Sequence, residues 1–320
     1  MANSTNKILI ALDGSTQSIN AARYISKAIP PENAKIVLFS VRTKAPDSFW
    51  DFDEDPEITA QQPALKMWYD KQKEILDRTM EAVRKCFLEA GYPEDSVTVK
   101  IQDRQVGIAR DILKESYNGY TAIVLGRTGM SSNIGVPMGS ITAKLLPKIH
   151  HATFIMVGEA PEPTKFLIGF DGSHGAKKAV SSLKSLIKNS DKKVNICHVL
   201  RSLNLLQGSY DLFQFNFDQA HFPKEESTRL QTVEKKLEPE INLAKQKFIE
   251  AGIPAFHVET KMIMGYQSRA ASLLNEAEKN GYGTIVIGRR GISIVEEFFM
   301  GRVARKITQM AKSHAVWIAS

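Results

Sequence analysis

Cysteine is nearly absent from this chain. Cys86 and Cys197 are the only two in 320 residues and stand more than a hundred residues apart, which leaves neither a disulfide framework nor a Cys-based metal-ligand spacing. Both read as small buried hydrophobes, one in a helix and one in a strand. No apolar run approaches the roughly 20 residues of a membrane-spanning helix. The opening MANSTNKILIALDGS carries no basic stretch followed by an apolar one of signal-peptide length, so the expectation is a cytoplasmic protein with no membrane partner. A P-loop is missing too, since no glycine is followed by lysine. Gly281 and Gly283 form a G-x-G, but it precedes a strand and has Val286 at the third glycine position, which excludes a dinucleotide fingerprint. What remains is an ordinary globular composition, 43% hydrophobic and 24% charged, in a chain long enough for about two domains.

The formal charge is +7, and it is unevenly placed. Residues 1–160 hold 19 basic and 19 acidic side chains, whereas residues 161–320 hold 23 and 16. The whole excess therefore lies in the second half, where it reads as local divergence plus a solvated surface. It is not taken as a sign of a nucleic-acid partner.

The chain is a duplication. KILIALDGS at 7–15 returns as KFLIGFDGS at 165–173, and LEAGYP at 88–93 returns as IEAGIP at 249–254. NGYTAIVLGRTG at 118–129 returns as NGYGTIVIGRRG at 280–291, and HATFIMVG at 151–158 as HAVWIAS at 314–320. The offset grows only from 158 to 163, so the copies are collinear. Two domains are expected, 1–160 and 161–320, joined through the proline-bearing segment 159–164.

Within the first copy, apolar Ile/Val-rich runs near 7–12, 35–41, 96–102, 121–126 and 153–157 read as parallel strands buried on both faces. Between them lie segments of helical period. In the longest, Leu65, Trp68, Leu76, Met80, Val83 and Phe87 form one apolar stripe, matched by Leu230, Val233, Leu237, Ile241, Ala244 and Phe248. Gly91 and Gly252 are placed to end these helices. Alternating strands and helices, closed by a fifth strand, give two doubly wound α/β domains.

Ligands of open α/β sheets bind beyond the carboxyl ends of the strands. The first strand ends in Asp13-Gly14-Ser15. The fourth ends in Gly126-Arg127-Thr128-Gly129, and nine residues later come Gly139-Ser140 and a helix expected to end near Ile149, giving G-x2-G-x9-G-S. Glycines let backbone N–H groups approach a ligand, and a helix start presents unpaired donors, an arrangement suited to phosphate. A plain strand-to-helix turn with Ser140 as N-cap stands beside that reading, as does Asp13 capping the next helix through Ser15 or Thr16. Arg127 has a third alternative, an ordinary solvent-facing arginine.

The long glycine spacing, the aspartate closing the first strand and the terminal fifth strand resemble the universal stress protein (UspA) family in its tandem two-domain form, over nearly the whole chain, twice. The resemblance implies that each domain is a five-stranded parallel sheet of order 3-2-1-4-5 with helices on both faces. First and fourth strands are then adjacent, with Asp13 beside the Gly126 loop. From ATP-binding members, it implies Asp13 and Val41 around the adenosine. Gly126, Arg127, Gly129, Gly139, Ser140 and Ile141 would line the ribose and phosphates, with Mg or Mn only as companion of ATP. It also implies an intramolecular pseudo-dimer through the fifth strands, with a homodimer of chains as a further expectation.

The second copy keeps Asp171, Val199, Gly288, Gly291 and Gly301, but Arg302 stands where Ser140 stands in the first. Its bulk is expected to fill phosphate space, and Glu296 and Glu297 in the spacer to repel a polyphosphate, so this degenerate site is expected to bind ATP weakly or not at all. Arg289, Arg290, Arg305 and Lys306 cluster around it, and Phe298 and Phe299 read as buried or contact residues. Long dissimilar connections, 43–63 and 201–223, leave from the ligand end of each sheet as lids, partner surfaces or packing segments. His150, His151 and His314 read as structural, and His174 has no counterpart in the first copy, where Thr16 stands.

The functional expectation is a stress-response ATP-binding protein with the nucleotide as ligand or signal, held mainly in the first domain. No hydrolytic apparatus is legible, so the ceiling is slow hydrolysis or autophosphorylation on Ser140, Ser131 or Ser132. The alternative is a scaffold or interaction module that binds no nucleotide.

Overall fold

Ile8, Leu9 and Ile10 are wholly buried at the centre of the first sheet, as are Phe166, Leu167 and Ile168 in the second copy. The computed structural model describes residues 5–43, 56–129, 138–159, 161–201, 224–265, 268–291 and 300–320. The chain divides into two units, Met1–Ala152 and Thr153–Ser320.

In the first unit the elements run β1 (Asn6–Ala11), α1 (Thr16–Ala28), β2 (Ala34–Arg42), α2 (Pro56–Glu89), β3 (Val97–Asp103), α3 (Ile108–Ser116), β4 (Ala122–Gly126) and α4 (Ser140–Leu145). Strand order is β3-β2-β1-β4. β1 pairs in parallel with β2, Ile8 opposite Ile36, and with β4, Ile8 opposite Ala122. Helix α1 packs on α2, and α3 on α4. Chain leaves β1 and β4 toward opposite sides, which opens a crevice at their carboxyl ends.

The second unit opens with β5 (Thr153–Val157), followed by β6 (Lys165–Gly169), α5 (His174–Ile187), β7 (Lys193–Arg201), α6 (Lys224–Glu250), β8 (Val258–Gly265), α7 (Arg269–Asn280), β9 (Thr284–Gly288), α8 (Arg302–Met310) and β10 (Ala315–Ala319). The second copy's own strands run β8-β7-β6-β9-β10, the 3-2-1-4-5 order in full, all parallel. β5 lies with this unit because its ladder goes to β10, antiparallel, with Val157 opposite Ala315 and Phe154 opposite Ile318. Thr153 Oγ1 adds a 2.6 Å hydrogen bond to Ser182 Oγ on α5. Trp317 of β10 is wholly buried, edge-on to Phe166 at 5.6 Å.

Three local expectations need correction. The run expected near 96–102 as a strand buried on both faces is β3, an edge strand that carries exposed Thr98 and Lys100, and its second-copy counterpart β8 likewise carries exposed Glu259 and Lys261. The apolar stripe of α2 is buried at Met80, Val83 and Phe87, yet Trp68 is 52% exposed, and on α6 Val233 is exposed while Ile241, Ala244 and Phe248 are buried. Length explains this, since the 34 residues of α2 span about 51 Å and the nine of β2 about 30 Å. The first turns therefore run past the sheet. The helix after Gly139 stops at Leu145 rather than near Ile149.

Both long helices end as their glycines predict. Gly91 and Gly252 have φ of +92° and +87°, and the next residue in each case, Tyr92 or Ile253, donates its N–H back to Phe87 O or Phe248 O. Each edge strand is tied to a crossing helix by the same pair, Lys100 to Glu115 at 2.6 Å and Lys261 to Glu276 at 2.8 Å.

Candidate functional site

At the end of β1 the backbone turns through Gly14, whose φ is +83°, and α1 begins with Ser15 as its N-cap, accepting from Ser18 N. Asp13 supports that cap from below: its Oδ1 accepts from Ser15 N at 2.9 Å and from Ser15 Oγ at 2.6 Å. The other oxygen points elsewhere. A Cβ built on Gly129 would stand 2.6 Å from Asp13 Oδ2, so the aspartate and the glycine loop after β4 meet across the crevice, and any side chain at 129 would collide with the carboxylate. The capping alternative for Asp13 is thus half of its chemistry.

The β4 loop is pinned at its base by Gly139 N donating to Arg127 O at 2.8 Å. Thr142 Oγ1 of α4 donates to Gly126 O at 2.8 Å, which fixes the helix start over the strand end. Gly139 is the N-cap of α4 and makes no side-chain cap bond, while Ser140 is the exposed first helical residue. Ser140 is therefore not the N-cap that the plain-turn alternative required. Arg127 is not a solvent-facing arginine: it is only 5% exposed, and burial pulls its guanidinium pKa down. Val41, next to last in β2, is half-buried opposite Gln102, and Ile141 is half-buried on α4. Ser131 and Ser132, in the spacer 130–137, lie outside the described residues, as do Phe49, Trp50, Phe52, Glu296, Glu297, Phe298, Phe299 and most of the two long connections.

The second copy repeats the aspartate-to-glycine approach and the bond at the base of the loop. Asp171 Oδ1 accepts from Ser173 N at 3.1 Å, and a Cβ on Gly291 would stand 2.7 Å from Asp171 Oδ2. Gly301 N donates to Arg289 O at 2.8 Å. One approach is closer still. Gly288 and the Arg290 carbonyl press against Gly175 at the start of α5, where a Cβ would overlap backbone, while Gln17 stands at that position in the first copy.

Arg302 was expected to fill this second crevice. Instead it lines an open cavity of about 490 Å³, together with Asp171, Val199, Gly288, Gly291 and Gly301, a volume within the usual 300–1,000 Å³ of small-molecule sites. Arg289, Arg290 and Lys306 also line it, but Arg305, a neighbour in sequence, does not. Among the lining residues not singled out from sequence are Arg269, which opens α7, and His198 on β7. Aligning the repeats exposes the signal, for His198 precedes Val199 where Ser40 precedes Val41. His198 Nδ1 lies 2.7 Å from Phe170 O. Nδ1 must carry the proton there, which leaves Nε2 as an acceptor. Burial holds the ring's pKa below the ordinary imidazole value, so His198 is neutral at pH 7. Arg289, 5% exposed, donates from Nε to Ser320 Oγ at 2.9 Å, and burial, then the neighbouring Arg290 charge, lower its pKa to about 10.

Two of the other histidines are placed in structural settings. His151 lies 2.9 Å from Ser116 O and stacks on Tyr117, and His314 is buried. Among the described residues no three His, Cys, Asp or Glu side chains gather to hold a metal, and no helix is long and apolar enough to cross a membrane.

The model of the universal stress protein family matches residues 4–155 and again 163–318. Universal stress protein YxiE of Bacillus subtilis is 29% identical over 147 residues, covering 46% of this chain and 93% of its own. Among solved structures, a universal stress protein from Archaeoglobus fulgidus superposes with a TM-score of 0.60 at 17% identity, over 99% of each chain. A protein of unknown function from Pseudomonas aeruginosa PAO1 gives 0.55 at 12% identity, over 99% of this chain and 93% of that one.

Proposed function

This chain belongs to the universal stress protein family, and from that premise we propose that it binds ATP in the first copy's crevice, as a ligand or signal rather than a rapidly consumed substrate. The observation that carries the reading is the approach of Asp13 Oδ2 to Gly129. It brings a carboxylate acceptor and a loop of glycine N–H donors to one end of the sheet. A carboxylate suits the hydroxyls of a ribose or the exocyclic amine of adenine, and glycine N–H groups at a helix start suit phosphate oxygens. In this reading Asp13 and Val41 hold the adenosine. Gly126, Gly129, Gly139, Ser140 and Ile141 line the ribose and phosphates, and Arg127 shapes the loop from beneath through its carbonyl bond to Gly139.

The chemistry of the residues accommodates the nucleotide: bare glycines leave the cradle that a Cβ would occupy, and Ser140 keeps an exposed hydroxyl. A Mg²⁺ or Mn²⁺ ion would come only as the companion of ATP, held by the phosphates, with the exposed Ser140 hydroxyl as the oxygen donor at hand. Asp13 Oδ1 accepts two bonds from Ser15 and its Oδ2 faces Gly129, so in this reading the carboxylate binds the nucleotide rather than activating water, and turnover is slow or nil.

Nucleotide released by denaturing the purified full chain, identified by mass, tests this. Recovery of an adenine nucleotide supports the proposal. A nucleotide-free chain that also gives no ATP titration signal overturns it in favour of the scaffold reading.

A further inference from the structure

The second copy keeps the framework of a site while changing what faces the ligand. Asp171 against Gly291, the Gly301-to-Arg289 bond and the open 490 Å³ cavity all persist. The replacements, moreover, share a sign. Relative to the first copy, Arg269 stands for Ile108, Arg290 for Thr128 and Arg302 for Ser140, while Lys306 matches Lys144.

Helix α8 brings Arg302 and Lys306 to one face at i, i+4 spacing, and both line the cavity with Arg290. Among the described residues no acid forms an ion pair with Arg290, Arg302 or Lys306. Phe170, Val199 and Leu273 give the same cavity an apolar lining, beside His198, whose burial favours the neutral ring. The repulsion of Arg289 by Arg290 would be relieved by an anion at this end.

We propose that this cavity binds a phosphorylated small molecule with an apolar body, its phosphate held by Arg290, Arg302 and Lys306 and its body laid on Phe170, Val199 and Leu273. Guanidinium forks match the tetrahedral oxygens of a phosphate, and the first N–H groups of the nine-residue α8 face the same end. Nε2 of His198 offers an acceptor to a hydroxyl or amine on the body. This site is separate from the first-copy crevice and does not depend on ATP binding there.

Ligand-observed NMR on the full chain tests the assignment with phenyl phosphate, inorganic phosphate and benzoate as probes. Phenyl phosphate should bind about tenfold more tightly than inorganic phosphate, because the apolar wall adds burial, and more tightly than benzoate. The double substitution Arg290→Thr, Arg302→Ser, which installs the first copy's residues at exposed positions, should weaken phenyl phosphate about tenfold or more with an unchanged circular dichroism spectrum. Gly129→Val should leave its binding unaltered. Equal binding by the double variant, equal binding of benzoate, or loss of binding in Gly129→Val would each overturn the proposal. ATP failing to bind the first copy would leave it standing.

Discussion

Two residues show how burial redirects side chains that sequence alone would assign to the surface. Arg127 and Arg289 follow β4 and β9, and a solvent-facing arginine stood as the alternative for Arg127, yet each is only 5% exposed. Nothing in a run such as GRTG or GRRG marks the arginine as buried. Asp13 and Asp171 were legible, since strand order alone brings them to the loops. His198 was hidden by its setting in an apolar run. Its depressed pKa makes a test at this scale. A histidine neutral in the fold but protonated near pH 6.5 when unfolded stabilises above that value, and the contribution is lost as pH falls toward the lowered folded pKa. The thermal midpoint of the second unit should therefore drop between pH 7 and 5, with a smaller drop in His198→Gln. Parallel curves for wild type and variant would show that the ring does not titrate with folding.

The elements were almost entirely visible in the sequence. Strands expected at 7–12, 35–41 and 121–126 appear at Asn6–Ala11, Ala34–Arg42 and Ala122–Gly126, because central parallel strands are continuous runs of buried Ile, Val and Leu. Edge strands blur that signal. Lys100 and Lys261 sit in β3 and β8 and reach Glu115 and Glu276 on the crossing helices. Glu115 shows what such a tether needs: burial alone would raise its pKa, but hydrogen bonds from Lys100, Tyr120 and Asn118 outweigh it and hold the carboxylate low. Where a helix outruns its sheet, periodicity overstates burial, and α2 separates the two cases. Phe87, wholly buried, should cost about 3–5 kcal/mol on truncation to Ala. Trp68→Ser, on the overhanging turns, should change stability by about 0.5 kcal/mol or less. Urea midpoints read both, and a large loss from Trp68→Ser would mean that this face is covered in solution.

For the molecule as a whole, duplication explains both its length and its lopsided charge. One α/β plan is written twice, and the neutral copy retains Ser140 while the copy with net +7 carries Arg269, Arg290, Arg302 and Arg305 at positions that are uncharged in the first. The basic excess is thus in part a property of one crevice. Sequence exposed the substitution but not its consequence, because whether a long side chain closes a cavity or lines it depends on the helix that carries it. On the two proposals made here, the copies take different ligands. Isothermal titration of ATP into the full chain, beside the Gly129→Val variant, tests that division most directly. A single ATP per chain is predicted, lost when valine at 129 meets the Asp13 carboxylate. Two equivalent ATP sites, or undiminished binding by Gly129→Val, would contradict it.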